Sequence, residues 1–275
     1  MGEVLMNLPN LNLPYLTNQA CQIAKQAGAF ILNERSTFSA QKVEIKGHND
    51  FVSYVDKQTE ELIVAGLKPL IPTAGFITEE GTEKTDDNPL KWIIDPLDGT
   101  TNFIHGVPCF AVSIALVSNK EPIIGVVYEI NQNEMFSTWK NGGAFLNGNP
   151  ISVSKTTTVA DALLGTGFPY YDYHLIDPYL KLFRHLMQHS RGLRRPGSAA
   201  TDLAYTAAGR FDAFYEYSLS PWDVAAGVLL VKEAGGTVTD FSGGKDGIFG
   251  KEIIASNAHI HEELLQLVRK FMKNA

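Results

Sequence analysis

Two cysteines, Cys21 and Cys109, are all that the 275 residues contain. They cannot build a disulfide framework and lack the close pairing of a zinc ribbon or redox motif, which fits a reducing, intracellular compartment. Long apolar runs are missing too. Nothing approaches roughly 18 consecutive apolar residues, and no basic segment followed by an apolar core precedes Pro14, so neither a membrane span nor a signal peptide is supported. The cytoplasm is the expected location. Positive charge is in deficit, with 23 Lys and Arg against 30 Asp and Glu for a net charge of −7. Such a field repels nucleic-acid phosphates, so nucleic acid is not an expected partner. The same acidity means that a protein handling phosphates here would need cations to mediate.

What is present is ordinary for a compact chain. Hydrophobic residues at 44% and charged residues at 19% exclude disorder, collagen and coiled coil as whole-chain descriptions. On a prior of roughly 150 residues per domain, the length suits about two domains or one large one. Thr17 to Asn33 carries Ala20, Ile23, Ala24, Ala27, Phe30 and Ile31 at the period of an amphipathic helix, with Thr17 as its expected N-cap. A second helical pattern includes Val55, Thr59, Leu62 and Ile63 and ends near Pro69. The polar stretch between the two, around Lys46 to Asp50, reads as a mobile loop.

From Lys91 to Trp139 short β-rich runs follow one another, and Asn141-Gly142-Gly143 and Asn147-Gly148 are hairpin signals. This predicts a largely antiparallel sheet up to about Val153. Beyond Thr158, strands near Leu163, Phe211, Val238 and Ile253 alternate with helices at Tyr179 to His189, Ser198 to Ala208, Trp222 to Glu233 and after His259, an α/β pattern. The expected organisation is an N-terminal α+β half, residues 1–153, and a C-terminal α/β half, residues 154–275.

The most informative segment runs from Trp92 through Asp95-Pro96-Leu97-Asp98-Gly99-Thr100-Thr101-Asn102-Phe103, an apolar strand leading into two acids, a glycine and two threonines. Asp95 to Asp98 fits a β-turn, which brings the carboxylates together. Their repulsion is unfavourable unless a proton or cation sits between them. Hard oxygen ligands favour Mg²⁺ or Mn²⁺, and the Leu97 carbonyl can add a ligand. Gly99 admits a ligand close to the backbone, and the N–H groups of Thr100 and Thr101 can open a helix that holds an anion. Taken alone, Glu79-Glu80 reads as a solvated pair and Asp223, in Pro221-Trp222-Asp223, as an acid at a helix start.

Together, Thr78-Glu79-Glu80, the Asp95 to Phe103 block and Trp222-Asp223 with Ala226-Gly227 resemble the inositol monophosphatase family, Mg²⁺-dependent and lithium-sensitive phosphatases related to fructose-1,6-bisphosphatase. Thr78 stands where the first block of the family has glycine. The resemblance implies a layered αβαβα sandwich of the sugar-phosphatase type and a cytoplasmic homodimer. By position it makes Glu79, Asp95 and the Leu97 carbonyl ligands of one Mg²⁺ and Asp95, Asp98 and Asp223 ligands of a second, with Glu79 also helping to hold a third. Asp56 matches the acid that orients Thr100, which positions the attacking water. Gly197, Ser198, Ala199 and Glu216 match substrate contacts, and Lys46 matches the basic residue of a variable loop.

The implied activity is hydrolysis of inositol 1-phosphate or a related polyol or sugar phosphate. Relatives of the family act on fructose 1,6-bisphosphate, histidinol phosphate, adenosine 3′,5′-bisphosphate or NADP, so the alcohol is left open. A regulatory protein acting through RNA polymerase or RNA processing is the alternative from another class. Haloacid dehalogenase chemistry fits poorly, because the acids are three apart and no later G-D-x-x-x-D appears.

Overall fold

The structure, a computed structural model, describes residues 11–37, 43–47, 50–84 and 87–272. Helix α1 (Leu13–Thr37) begins at Leu13 rather than at Thr17. Pro14 suits a first turn, where its missing N–H would go unpaired in any case. Asn12 caps that turn by accepting from the Tyr15 N–H at 3.1 Å, while the Thr17 hydroxyl donates back to the Leu13 carbonyl at 2.8 Å. The stretch read as a loop contains two strands, β1 (Val43–Gly47) and β2 (Asp50–Ser53), paired antiparallel, before α2 (Tyr54–Leu67). The β-branched Val43 and Ile45 at alternate positions, and the adjacent Phe51 and Val52, leave a ribbon available to a segment whose polarity suggested none.

A seven-stranded sheet follows in the order β3 (Gly75–Thr78), β4 (Leu90–Asp98), β5 (Ala111–Ser118), β6 (Glu121–Glu129), β7 (Glu134–Trp139), β8 (Ala144–Leu146) and β9 (Asn149–Ile151). Only β3 with β4 is parallel, and the rest is an antiparallel meander. Side chains alternate across it. Trp92, Ile94, Val112, Ile114 and Val126 pack with Ala20, Ala24, Ala27 and Ile31 of α1 and Ile63 and Leu67 of α2. Ile93, Ala111, Ala115 and Val127 face the opposite way, into a second core. Burial on both faces explains why these strands read as continuous apolar runs.

The second core is closed by two helices of the C-terminal half, α5 (Ala199–Ala207) and α6 (Pro221–Glu233), whose side chains from Val224 to Val231 are all buried. A five-stranded mixed sheet covers their far side, in the order β11 (Gly192–Arg194), β10 (Leu163–Thr166), β12 (Ala213–Tyr217), β14 (Glu252–Asn257) and β13 (Gly236–Thr239). Its outer face packs Tyr179, Leu182 and Leu186 of α4 (Ile176–His189) and Leu264, Leu265 and Val268 of α7 (His261–Met272). The layers are therefore α1 and α2, seven strands, α5 and α6, five strands, and α4 and α7. This is the αβαβα sandwich that the resemblance implies. No described helix is long and apolar enough to cross a membrane.

The central layer is tight because small residues face one another. A Cβ on Gly125 of β6 would lie 2.7 Å from the Ala226 carbonyl oxygen in α6, a backbone atom that cannot swing aside. Gly125→Ala is expected to destabilise the protein by about 1–3 kcal/mol through overpacking. A thermal melt with an unchanged midpoint would contradict this account of the layer.

Candidate active site

Asp95 and Asp98 lie at the end of β4, where Asp95 stands opposite Ser113 and Asp98 opposite Ala111, so that β4 carries an extra residue against β5. The convergence expected from a β-turn thus comes from a bulge within the strand. Pro96 has no N–H to give to the ladder. The Asp95 Oδ1 takes the place of a ladder acceptor by receiving the Leu97 N–H at 3.0 Å. Gly99 follows with φ of 95° and starts the short helix α3 (Thr100–His105). A Cβ there would lie 2.9 Å from the Cys109 carbonyl oxygen, so glycine is required both for the backbone angle and for the space.

Carboxylate oxygens of Asp95, Asp98 and Asp223 lie within 4.8 Å of one another. Asp223 comes from the first turn of α6, where its Oδ2 accepts the Ser220 N–H at 2.7 Å in a capping box. The carbonyl of the neighbouring Trp222 accepts from Ser113 Oγ at 3.1 Å, and Ser113 is the residue opposite Asp95. One serine therefore ties the start of α6 to the strand pair that holds Asp95. Glu79 follows β3, its N–H donating to the Ile94 carbonyl at 3.3 Å. Its loop is held by the buried Glu60, whose carboxylate receives the N–H groups of Glu80 at 2.8 Å and Thr82 at 2.9 Å. Glu79 is not the solvated pair member that its sequence surroundings suggest. Its Oε2 is buried and makes no hydrogen bond among the described residues, while its carboxyl meets that of Asp95.

The protonation of this cluster follows from burial and crowding. Asp95, 2% exposed, is pushed well above the ordinary carboxylate range by burial and then by Glu79, Asp98 and Asp223. Glu79 is raised by burial, Asp223, Asp56 and Glu80. Burial lifts Asp98 to about 6 against the bonds it receives from Ser198 Oγ at 2.6 Å and the Ala200 N–H at 2.7 Å. Burial and then Asp98 lift Asp223 to about 7. A divalent cation fits this donor set: hard oxygens only, held in place by neighbours, with Glu79 Oε2 making no hydrogen bond among the described residues.

Beside the cluster, Thr100 Oγ1 lies 2.9 Å from both Asp56 Oδ1 and the Leu97 carbonyl oxygen, and it can donate its one proton to either. Asn102 Nδ2 donates to the carbonyls of Cys109 at 2.7 Å and Pro196 at 2.9 Å, binding the Gly99 loop to the loop before α5. Within that loop Gly197 has φ of 96°, and Ser198 caps α5 through Thr201 while also donating to Asp98. Gly99, Thr100, Thr101, Gly197, Ser198, Ala199 and Glu216 all line a single cavity of about 380 Å³ with the acids. The side chain of Lys46 falls outside the described residues.

Arg195 and Asp202 also line the cavity. Asp202 shows only as a polar position in the apolar face of α5, a weak signal in one sequence. The bonding roles of Ser113, Asn102 and Glu60 had no signal at all, since each acts on residues distant in the chain.

Carboxyls that titrate higher in the folded chain than in the unfolded chain contribute stability at low pH and lose it as pH rises through the folded value. Without added metal, the melting midpoint is expected to fall by roughly 5–10 °C between pH 5 and 7.5. Asp223→Asn should flatten that fall, and Mg²⁺ should reverse it. A midpoint that climbs over the same interval would refute the raised values.

The profile of the inositol monophosphatase family matches residues 12–273. An inositol-1-monophosphatase of Mesorhizobium japonicum is 41% identical over 256 residues, covering 93% of this chain and 96% of the relative. The Nus factor SuhB of Pseudomonas aeruginosa is 42% identical over 259 residues, covering 92% and 96%. Among solved structures, the extragenic suppressor protein suhB from Bartonella henselae superposes with a TM-score of 0.87 at 42% identity, covering 93% of this chain and 99% of that one. The inositol monophosphatase from Anabaena does so with a TM-score of 0.83 at 35% identity, covering 95% and 98%. With the acids of β4, the glutamate after β3 and the aspartate opening α6 gathered at one cavity, the chain belongs to the inositol monophosphatase family, whose name implies phosphatase activity.

Proposed function

We propose that the chain is a Mg²⁺-dependent phosphomonoesterase that hydrolyses inositol 1-phosphate, or a related polyol or sugar phosphate, by direct attack of water on phosphorus. The observation that carries this reading is the meeting of Asp95, Asp98 and Asp223 within 4.8 Å in a cavity that Thr100, bonded to Asp56, also lines. Glu79, Asp95 and the Leu97 carbonyl are the proposed ligands of one cation and Asp95, Asp98 and Asp223 those of a second, with Mn²⁺ as a substitute. When bound, the cations supply positive charge to the phosphate oxygens and acidify a water.

The chain's own groups do the positioning. When Thr100 Oγ1 donates to Asp56, its lone pairs are left to accept from the attacking water, so the threonine aims the nucleophile and the buried Asp56 fixes the threonine. Gly99, Thr100 and Thr101 present backbone to the ester, while Gly197, Ser198, Ala199 and Glu216 face its alcohol. A second reading attaches to the relatives called Nus factor: a role apart from hydrolysis. A hydrolytically dead variant that still rescues a cellular phenotype would favour it.

Excess EDTA is expected to abolish turnover and Mg²⁺ to restore it; undiminished turnover in EDTA would sink the metal-dependent reading. Asp95→Asn should lower metal affinity and turnover together, by at least about 10- to 100-fold. Thr100→Ala should keep Mg²⁺ binding while kcat drops, because it loses only the group that aims the water. A chiral thiophosphate ester should be hydrolysed with inversion at phosphorus, and net retention would overturn direct water attack.

A further inference from the structure

A second cavity, of about 640 Å³, opens at the other end of α6 and is lined by Lys120, Lys140, Lys232 and Lys245. Asp223 stands in the first turn of that helix and Lys232 in its last, about 14 Å apart along the axis, which separates this cavity from the acidic one. Four segments meet there. Lys120 belongs to the turn between β5 and β6, Lys140 to the turn after β7, Lys232 to the end of α6 and Lys245 to the loop between β13 and β14. In a chain with a net charge of −7, four ammonium groups on one cavity are a local reversal of sign.

Three carboxylates also line the cavity, and each is held by other groups. Glu121 pairs with Lys140 at 2.9 Å, Glu233 accepts the N–H groups of Asn141 at 2.8 Å and Gly143 at 3.0 Å, and Asp246 Oδ1 accepts the Phe249 N–H at 3.3 Å. No ion pair reaches Lys120, Lys232 or Lys245 among the described residues. Lys120 instead places its Nζ 5.6 Å from the centre of the Phe249 ring. Burial pulls the Lys232 ammonium below its ordinary value, Glu121 opposes that, and Lys245 and Lys140 add to the lowering. The lysines are close enough to act on one another, and an anion between them would relieve the conflict.

The loop that carries Lys245 is fixed in advance by Asp240, whose Oδ1 accepts the N–H groups of Ser242 at 2.8 Å and Gly244 at 2.7 Å and the Ser242 hydroxyl at 2.6 Å. Val228 and Ile248 give the cavity a buried apolar wall. Ammonium groups bind phosphate oxygens as point charges, so ammoniums from separate segments call for negative charge that is spread as well. One phosphate would leave some of them unmet. The volume, too, lies in the range of small-molecule sites.

We propose that this cavity binds a small polyphosphate, an anion with two or more adjacent phosphates, on Lys120, Lys232 and Lys245. Inorganic polyphosphate and a nucleoside triphosphate share that chemistry, and only the second brings a base to the apolar wall.

Calorimetric titration of the full-length protein with tripolyphosphate in EDTA tests this. Without a cation the acidic cluster repels phosphate, so the binding that is read belongs to the lysine cavity. One anion per chain is expected to bind in the micromolar range at low ionic strength and to weaken as salt is added. Lys232→Gln combined with Lys245→Gln should weaken it by at least about tenfold, and Lys245→Glu should cost more than Lys245→Gln. Both side chains reach the surface, so these variants should melt as the unaltered protein does. Asp95→Asn, in the acidic cavity, should leave the affinity as it is. No binding at millimolar tripolyphosphate, a Kd unmoved by the lysine changes, or tighter binding in Asp95→Asn would overturn the proposal, and so would inorganic phosphate binding as tightly as tripolyphosphate. ATP then separates the sources: an affinity no greater than that of tripolyphosphate assigns the site to the phosphate chain alone, and a greater one adds a nucleoside on the apolar wall. None of these outcomes depends on whether the chain hydrolyses phosphomonoesters.

Discussion

Repulsion among buried carboxylates is the constraint on which the site depends. Asp95, Asp98 and Asp223 hold oxygens within 4.8 Å of one another, and Glu79 adds a fourth acid, one buried oxygen of which makes no hydrogen bond among the described residues. In water such groups would separate, and in an apolar interior they would take up protons. The chain permits neither full relaxation nor full pairing. Ser198 Oγ and the Ala200 N–H fix Asp98, the Leu97 N–H fixes Asp95 and the Ser220 N–H fixes Asp223. Those bonds use one or two lone pairs of each carboxylate and leave the rest turned toward one another. A cation would resolve the remaining conflict, so the proposed metal affinity and the expected instability without metal are two expressions of one geometry.

The layered fold follows from having to bring these acids together from distant parts of the chain. Glu79 follows β3, Asp95 and Asp98 end β4, and Asp223 opens α6, so the site lies where strand ends of the first sheet meet helix starts of the central layer. Helix starts also supply free N–H groups, which suit carboxylates and phosphates alike. Two of the three acids in the cluster are anchored in this way, Asp98 by the start of α5 and Asp223 by the start of α6.

What the sequence reveals depends on how local the chemistry is. The Asp95 to Phe103 block, the Glu79-Glu80 pair and Trp222-Asp223 are contiguous patterns, and they point to the acids that the fold gathers. Strands β4 to β6 were legible because both faces are buried and the runs are largely apolar, and β7 because β-branched and aromatic residues recur in it. Errors arose where a local rule met a competing partner. Thr17 looked like a cap but donates back to Leu13, since Asn12 and Pro14 start the helix. The turn at Asp95 is a bulge because β5 continues to pair beyond Pro96. Bonds such as Ser198 to Asp98 or Thr100 to Asp56 join residues far apart in sequence, and no periodicity encodes them. Family resemblance implies the second of these, while only the fold brings the first pair together.

The approach of Asp95 to Asp223 has to be held against their repulsion, and the side chains themselves cannot hold it. The restraint lies one layer back. Ser113 pairs through the backbone with Asp95 and through its hydroxyl with the carbonyl of Trp222, the residue before Asp223. Farther along, Gly125 brings β6 against the backbone of Ala226, and a Cβ on Gly227 would lie 2.4 Å from Leu203 of α5. The helix is thus pressed between strand and helix where neither neighbour leaves room to slide. Small residues in the central core and crowded acids at its edge belong to one arrangement: close packing of α6 fixes the repulsion in place, and the fixed repulsion is what makes the site fit for a cation.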